Sequence, residues 1–232
     1  MIGCLCLHGF TGEPWEVEPV ADYFQKQKQN WLVYTPTLPG HGPDGNLKDV
    51  TYKQWVYAAE VAAEELLKRC STVYVIGFSM GGMLASYIAA KYPIDKLVLL
   101  SAAAYYMNPQ QLLQDLKQAV RLRLQGKLQD DVLYQRYSKK VADTPMTAVF
   151  QFMQAVKRIR PYLKKVTVPT LIIQGEQDGI IPKKSADYLY TTISSKKKRL
   201  VFLRKSKHMV CHDFEKDQLI EEIEQFLEST FS

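Results

Sequence analysis

Short apolar runs alternate with longer stretches of helical periodicity along most of the chain. Six runs are almost continuously apolar, at 2–7, 31–35, 73–77, 97–100, 170–174 and 200–203. Such runs are typical of strands buried on both faces of a parallel sheet. Helical patterns are predicted at 14–29, 52–69, 80–91, 184–192 and 217–230. Because strands and helices alternate, the sequence predicts an α/β fold with a mostly parallel sheet and helices on both faces.

One connection is much longer than the others. About 70 residues separate the strands predicted at 97–100 and 170–174, far more than a crossover helix needs. Thr144-Pro145 predicts a helix N-cap followed by proline at the first helical position. Apolar residues recur at helical spacing in two parts of this connection: Leu112, Leu113, Leu116, Val120 and Leu124, then Met146, Val149, Phe152, Met153, Val156 and Ile159. We therefore predict a core of residues 1–103 and 169–232, with a helical lid inserted at 104–168.

Composition excludes several classes of protein. Hydrophobic residues make up 47% and charged residues 23% of the chain, which is enough apolar material for a buried core. No apolar run reaches the roughly 18 residues that a membrane span requires. The start, MIGCLCLHGF, has no basic segment and too short an apolar run for a signal peptide, so we expect a cytoplasmic protein without stable membrane insertion. The cysteines are too few for a disulfide scaffold and are expected to be reduced and buried: Cys4, Cys6, Cys70 and Cys211.

The net charge of +6 is unevenly distributed. Residues 104–168 contain 12 Lys and Arg but 4 Asp and Glu. A basic segment can attract anions or nucleic acid. These charges lie on helix-patterned sequence without a nucleic-acid-binding motif. We therefore expect a solvated helical face and no nucleic-acid partner.

The strongest chemical signal is the sequence Gly77-Phe78-Ser79-Met80-Gly81-Gly82. It follows a predicted strand and begins a predicted helix. In that context G-x-S-x-G forms a sharp turn that strains the serine and leaves no room for side chains two residues before and after it. The hydroxyl then projects from the carboxyl end of the strand, where open α/β sheets bind ligands. The alternatives are a serine in an ordinary glycine-rich strand-to-helix loop and a phosphate-binding loop. Neither the P-loop lysine nor G-x-G-x-x-G, which a phosphate-binding loop would show, is present. We predict that Ser79 is a nucleophile.

A nucleophilic serine needs a base, and four histidines are available. His208 follows the last predicted strand after a short loop, which places it at the same edge of the sheet. His212 lies near the start of the final helix and is the second candidate. His41 lies in a turn-rich segment, LPGHG, that favours a structural hydrogen-bonding role, and His8 ends the first strand. We predict that His208 is the base.

The base in turn needs an orienting carboxylate. The loop Gln174-Gly175-Glu176-Gln177-Asp178-Gly179 follows the penultimate strand and offers two. Asp178 lies further into the loop, whereas Glu176 is nearer the strand, where a structural role is favoured. The order Ser79, Asp178, His208 is that of the α/β-hydrolases. We predict Asp178, with Glu176 as the alternative.

Acyl transfer also needs hydrogen-bond donors for the oxyanion. The N–H of Met80 follows the nucleophile directly and lies at a helix N-terminus. A second donor is expected from the loop after the first strand, Leu7-His8-Gly9-Phe10-Thr11-Gly12, where the Phe10 N–H is favoured. An ordinary glycine turn is the alternative interpretation of that loop.

The chain contains, in this order, the motifs HGFTG, LPGHG, GFSMGG, GEQDGIIP and KSKHMV. In order and spacing they resemble those of the α/β-hydrolase superfamily, and more narrowly those of small bacterial carboxylesterases akin to monoacylglycerol lipases. The resemblance covers nearly the whole chain. It implies Ser79 as nucleophile, His208 as base, Asp178 as its orienting partner, and the N–H groups of Phe10 and Met80 as the oxyanion hole. It implies a serine esterase acting on small-molecule esters with short-to-medium acyl chains, with no metal or organic cofactor.

Two features depart from the family pattern. The chain begins at what would be the third strand of the family, so we expect a sheet of about six strands. Lys207 occupies the position where a glycine commonly precedes the histidine, so the resemblance does not specify the shape of the loop that carries His208. The alternatives on the same fold are a peptidase, a carbon–carbon bond hydrolase and a cofactor-free peroxidase-type enzyme. The alternative from another class is a non-catalytic binding protein.

Overall fold

The computed structural model describes residues 1–43, 45–105 and 144–230. Six strands form one sheet in the order β2-β1-β3-β4-β5-β6, and every neighbouring pair is parallel. Their bounds are β1 (Ile2–Leu7), β2 (Trp31–Tyr34), β3 (Thr72–Phe78), β4 (Lys96–Leu100), β5 (Thr170–Gly175) and β6 (Lys198–Leu203). The predicted parallel sheet of about six strands is confirmed.

The described residues also form α-helices between the strands: α1 (Glu18–Gln27), α2 (Tyr52–Arg69), α3 (Met80–Lys91), α4 (Met146–Ile159), α5 (Lys183–Thr192) and α6 (Lys216–Glu228). Short 3₁₀ turns lie at Pro14–Glu16, Arg160–Lys165 and Val210–His212. None of the described helices is both long enough and apolar enough to cross a membrane.

Apolar side chains cover both faces of the sheet, as the continuous apolar runs predict. Leu5 and Leu7 of β1 face a cluster that includes α2, α3, α4 and α5. Cys4 and Cys6, which alternate with them, face a second cluster with α1 and α6. Helices therefore pack on both faces of the sheet. All four cysteines are buried, as expected, and none forms a disulfide bond in this structure.

Two helix starts differ from the prediction. The segment predicted as one helix at 14–29 is divided into a 3₁₀ turn and α1. Pro19 lies in the first turn of α1, where its missing N–H costs no intrahelical bond. In the interior of a continuous helix, the same proline would remove one intrahelical hydrogen bond. For α4, Pro145 is itself the N-cap, with extended backbone at φ −71° and ψ 146°, so the cap predicted at Thr144 is wrong by one residue.

Part of the predicted insertion lies within the described residues. Helix α4 and the 3₁₀ turn after it pack against α3, and α4 also contacts α2. Their buried side chains belong to the same apolar cluster as one face of the sheet: Val149, Phe152, Val156, Ile159 and Leu163. Met146 and Phe150, in contrast, are exposed. The helical run predicted around Leu112 to Leu124 lies outside the described residues.

Candidate active site

Ser79 lies at the sharp turn between β3 and α3. It is the N-cap of α3, with φ 52° and ψ −116°. A positive φ in a residue other than glycine costs about 1–3 kcal/mol, so the surrounding structure has to impose it. Two hydrogen bonds do so: the Ser79 N–H donates to the Leu100 carbonyl at 2.9 Å, and the Ala103 N–H donates to the Ser79 carbonyl at 3.1 Å.

The glycines on either side of Ser79 are required by close backbone contacts. A Cβ at Gly77 would lie 2.3 Å from the carbonyl oxygen of Gly81. A Cβ at Gly81 would lie 2.2 Å from the carbonyl oxygen of Leu7. The turn is therefore pressed against the end of β1, and the expectation that it leaves no room for these two side chains is confirmed.

Three side chains from three different loops meet at this edge of the sheet. His208 Nε2 lies 3.1 Å from Ser79 Oγ, and His208 Nδ1 lies 2.8 Å from Asp178 Oδ2. We refer to these three side chains as the triad. Because the carboxylate accepts the Nδ1 proton, the opposite nitrogen is left to accept the serine proton. The side chains of His208 and Asp178 are only 7% and 1% exposed, so little solvent competes for these bonds.

Asp178 is held by four hydrogen-bond donors. Its Oδ1 accepts the N–H groups of Ile180 at 2.8 Å and Ile181 at 2.9 Å. Its Oδ2 accepts both the His208 ring and the side-chain amide of Gln174, at 2.8 Å each. Gln174 is not among the site residues predicted from the sequence. Its signal was a polar residue within an otherwise apolar strand, because a buried polar group needs a hydrogen-bond partner.

The two alternative site residues lie elsewhere. His212 is exposed, and its Nε2 lies 2.7 Å from the carbonyl oxygen of Trp15. Glu176 is exposed and forms an ion pair with Lys183 at 3.3 Å. Of the two candidate bases and the two candidate carboxylates, the structure thus brings His208 and Asp178 to Ser79.

The loop that carries His208 is fixed at its backbone. A Cβ at Gly175 would lie 2.4 Å from the carbonyl oxygen of Lys207, so β5 and this loop are in close contact. The Lys207 N–H donates to Asp213 at 2.8 Å, while its side chain is exposed. The lysine that departs from the family pattern therefore contributes to the loop through its backbone.

Glu215 anchors the same loop and gives a pH-dependent prediction. Its Oε2 accepts the Lys205 N–H at 2.8 Å and the Ser206 hydroxyl at 2.7 Å. Desolvation opposes ionisation, but these hydrogen bonds outweigh it and hold the pKa of Glu215 below its usual value. Because the pKa is lower in the folded state, Glu215 increases the free energy of unfolding at pH values above the unfolded carboxyl pKa of about 4.3. This contribution is lost as the pH falls through the folded-state pKa.

We expect Glu215→Gln to lower the free energy of unfolding at pH 7 by roughly 1 kcal/mol. The difference from the wild type should shrink towards pH 3, because a protonated glutamate resembles glutamine. Urea unfolding at several pH values measures it, with Glu221→Gln on the exposed side of α6 as the control. A difference that does not change with pH would contradict the prediction.

The loop after β1 lies beside Ser79. A Cβ at Gly9 would lie 3.2 Å from Ser79 Cβ. Phe10 and Met80 are both buried. In the described part of the chain, neither of their N–H groups donates a hydrogen bond to another protein group. A pair of unbonded N–H groups beside a nucleophile is what an oxyanion hole requires.

Two buried histidines hold this loop. His8 donates from Nδ1 to the Gly9 carbonyl at 2.9 Å, and its Nε2 accepts the Leu38 N–H at 3.0 Å. His41 accepts the Thr11 N–H at its Nε2, at 3.2 Å. The hydrogen-bonding role expected for His41 is therefore observed, whereas the role of His8 was not foreseen.

Within residues 1–43, 45–105 and 144–230, no three His, Cys, Asp or Glu side chains converge to hold a metal ion. The rings of His8 and His41 lie 5.0 Å apart but bind backbone groups. A hydrogen bond with Cys6, together with burial, raises the pKa of the Cys4 thiol well above its usual value. That thiol therefore stays protonated at neutral pH and is a poor metal ligand.

Comparison with known proteins identifies the family. The model of the Hydrolase_4 family, described as serine aminopeptidase, S33, matches residues 3–215. The chain is 30% identical to a thermostable monoacylglycerol lipase of Bacillus sp. (strain H-257), over 97% of this chain and 90% of that protein. It is 24% identical to a carboxylesterase of Bacillus subtilis (strain 168), over 97% and 91%. A solved structure from the metagenome-derived lipolytic enzymes LipS and LipT has a TM-score of 0.78 at 24% identity, covering 97% of this chain and 93% of that one. The chain therefore belongs to the Hydrolase_4 family of α/β-hydrolases and resembles bacterial carboxylesterases and monoacylglycerol lipases.

Proposed function

We propose that the chain is a serine esterase that hydrolyses carboxylic esters with short-to-medium acyl chains, monoacylglycerols among them, through an acyl-enzyme on Ser79. The observation that carries this proposal is the hydrogen-bonded triad, in which Ser79 Oγ lies 3.1 Å from His208 and His208 lies 2.8 Å from Asp178. The relatives named as a monoacylglycerol lipase and a carboxylesterase support an ester as the substrate.

The reaction has two halves that use the same groups. Ser79 Oγ attacks the ester carbonyl carbon while His208 Nε2 takes its proton. The N–H groups of Phe10 and Met80 bind the oxyanion, and the N-terminus of α3 adds its dipole. The imidazolium then protonates the leaving alcohol, and the acyl group remains on Ser79. A water molecule then attacks the acyl carbonyl while it gives a proton to His208. The bond between the acyl carbon and Ser79 Oγ breaks, the imidazolium returns that proton to Ser79 Oγ, and the carboxylic acid is released.

A fluorophosphonate probe tests this proposal because it reacts covalently with an activated serine. We expect labelling of the wild-type protein and none of a folded Ser79→Ala variant. The matched control is Ser86→Ala, which removes a buried serine hydroxyl from α3, the helix that Ser79 caps, and should leave labelling intact. Labelling that persists in Ser79→Ala, or a wild type that does not react, would support a non-catalytic protein or another nucleophile.

The family description raises a peptidase as the second possibility. An aminopeptidase has to bind the charged amino terminus of its substrate, which calls for a carboxylate facing the site. Among the described residues near the triad, Asp178 and Glu16 each accept backbone N–H bonds, and Glu176 is paired with a lysine. We therefore expect amino-acid p-nitroanilides to be hydrolysed far more slowly than p-nitrophenyl esters.

Acyl-chain preference is assigned to the lid. We propose that residues 1–103 and 169–232 form the hydrolase core and that 104–168 form a lid whose apolar side chains line part of the acyl pocket. Helix α4 supports this assignment, because the Phe152 ring stacks on the Phe10 ring with centroids 5.1 Å apart. Trp55 packs edge-on against the same ring at 5.9 Å. These aromatic rings thus lie beside the proposed Phe10 donor.

We expect Phe152→Leu to shift the preference towards longer acyl chains, because a smaller side chain leaves more room beside Phe10. One methylene in an apolar pocket is worth about 1–3 kcal/mol, so the C8-to-C4 ratio of kcat/KM should rise by about tenfold. A panel of p-nitrophenyl esters from C2 to C12 measures the ratio. The control is Phe150→Leu, on the same helix but 53% exposed. An unchanged ranking in Phe152→Leu would contradict the assignment.

A further inference from the structure

Glu16 is a buried carboxylate that the proposed reaction does not use. Its side chain is 1% exposed, at the end of the 3₁₀ turn Pro14–Glu16, and its Oε2 accepts the Gly9 N–H at 2.7 Å. We propose that Glu16 is a positioning residue for the oxyanion hole, because it fixes the backbone at Gly9 so that the Phe10 N–H is directed at the substrate oxygen. This inference rests on the proposed esterase function.

Glu16 and Ser79 approach Gly9 from opposite sides. A Cβ at Gly9 would lie 3.1 Å from Glu16 Oε2 and 3.2 Å from Ser79 Cβ. The glycine therefore lies between the carboxylate and the serine. If the Glu16 carboxylate moved, it would displace the backbone of the loop after β1 directly, because no other described side chain lies between them.

In the loop after β1, the N–H groups on either side of Phe10 donate hydrogen bonds, whereas the Phe10 N–H donates none to the described residues. Gly9 donates its N–H to Glu16 and accepts a bond from His8 at its carbonyl, while the Thr11 N–H donates to His41. Glycine has no Cβ and is conformationally permissive. Its orientation therefore has to be imposed from outside, and Glu16 provides the acceptor on one side of it.

The Glu16 carboxylate also lies directly against the backbone of Gly12. A Cβ at Gly12 would lie only 1.9 Å from Glu16 Oε2. Gly12 is not among the positive-φ glycines of the described chain, so its backbone conformation admits alanine. Gly12→Ala is therefore expected to push the end of the glutamate side chain away from Gly9. It disturbs the same hydrogen bond as a change at Glu16, by an independent route.

A positioning role and a structural role predict different measurements. A lost acceptor for a buried N–H lowers stability in either case. The oxyanion exists only in the transition state, so a misdirected donor lowers kcat and leaves KM nearly unchanged. Loss of one oxyanion donor typically lowers kcat by about 10²–10³.

The experiment compares three substitutions in the full chain with p-nitrophenyl butyrate as substrate. Glu16→Met keeps the side-chain length but removes the acceptor, and we expect kcat to fall by about 10² with little change in KM. Glu16→Gln keeps an amide oxygen that can accept the Gly9 N–H, and should restore most of kcat. Glu18→Met makes the same change at an exposed carboxylate two residues later and should match the wild type.

Two further measurements separate positioning from stability. Gly12→Ala should lower kcat like Glu16→Met, and the double variant should lose little more than the larger single effect, because both act on one contact. A trifluoromethyl ketone forms a hemiketal oxyanion on the serine. Its affinity should fall in parallel with kcat.

The inference is overturned if Glu16→Met lowers only the thermal midpoint while kcat and ketone affinity are unchanged, or if Glu16→Gln is as impaired as Glu16→Met. Should Glu16→Met not fold, Glu16→Gln and Gly12→Ala decide alone. A Gly12→Ala variant with wild-type kcat would then refute the role. Failure of the esterase proposal is distinct, because it would appear as a wild type that does not react with the fluorophosphonate probe.

Discussion

Ser79→Ala and His208→Ala are each expected to lower kcat by about 10⁴ or more in a folded protein. In the proposed reaction the serine oxygen supplies the electron pair for the new bond, and the imidazole 3.1 Å away removes its proton. Either substitution abolishes the same step, the base-assisted attack of the serine, so the double variant should be no slower than the slower single variant. Initial rates with p-nitrophenyl butyrate measure the effect, and the residual rate reports the oxyanion hole and binding.

The control for the histidine is His212→Ala. His212 is exposed and lies against Trp15, with ring centroids 4.7 Å apart, so its loss should leave kcat close to that of the wild type. Circular dichroism and thermal unfolding establish that all variants are folded. If His212→Ala inactivates the enzyme and His208→Ala does not, the assignment of the base is wrong.

Asp178→Asn is the second large effect, with an expected loss in kcat of about 10⁴. The N–H groups of Ile180 and Ile181 both donate to Oδ1, so an asparagine has to place its oxygen there. The amide NH₂ then takes the position of Oδ2 and points at His208 Nδ1. The ring is forced to carry its proton on Nε2, where it cannot accept a proton from Ser79.

The matched control for this substitution is Glu176→Gln, which changes the other carboxylate of the same loop. Glu176 is paired with Lys183 at the surface, where an exposed ion pair contributes little. We therefore expect an unchanged kcat for Glu176→Gln. An Asp178→Asn variant within tenfold of the wild type, or a large loss in Glu176→Gln, would reverse the assignment of the carboxylate.

The strands and most helices could be predicted because burial is encoded in local apolar patterns. Strands such as β1 (Ile2–Leu7) are buried on both faces, and a continuous apolar run has few other interpretations. The helix starts were less predictable. Whether Pro19 interrupts a helix or begins one depends on where the chain before it packs, and periodicity does not specify that.

The residues of the candidate site divide in a similar way. The strained turn at Ser79 could be predicted because it needs glycines at fixed spacing, which the sequence displays directly. Gln174 and Glu16 could not, because their partners are a side chain four residues on and a backbone N–H seven residues back, brought together by loop conformation. A buried polar residue in the sequence signals that a partner exists but does not identify it.

The acyl-enzyme on Ser79 is the central claim, and mass spectrometry of the acid-quenched reaction tests it most directly. The protein is mixed with excess p-nitrophenyl butyrate, quenched within the first turnovers and digested. We expect a peptide containing Ser79 that is heavier by one butyryl group, formed together with a burst of p-nitrophenol. In Ser79→Ala both the adduct and the burst should be absent. Turnover of the ester without any adduct on Ser79, or an adduct on another residue that persists in Ser79→Ala, would show that the reaction does not pass through an acyl-enzyme on Ser79.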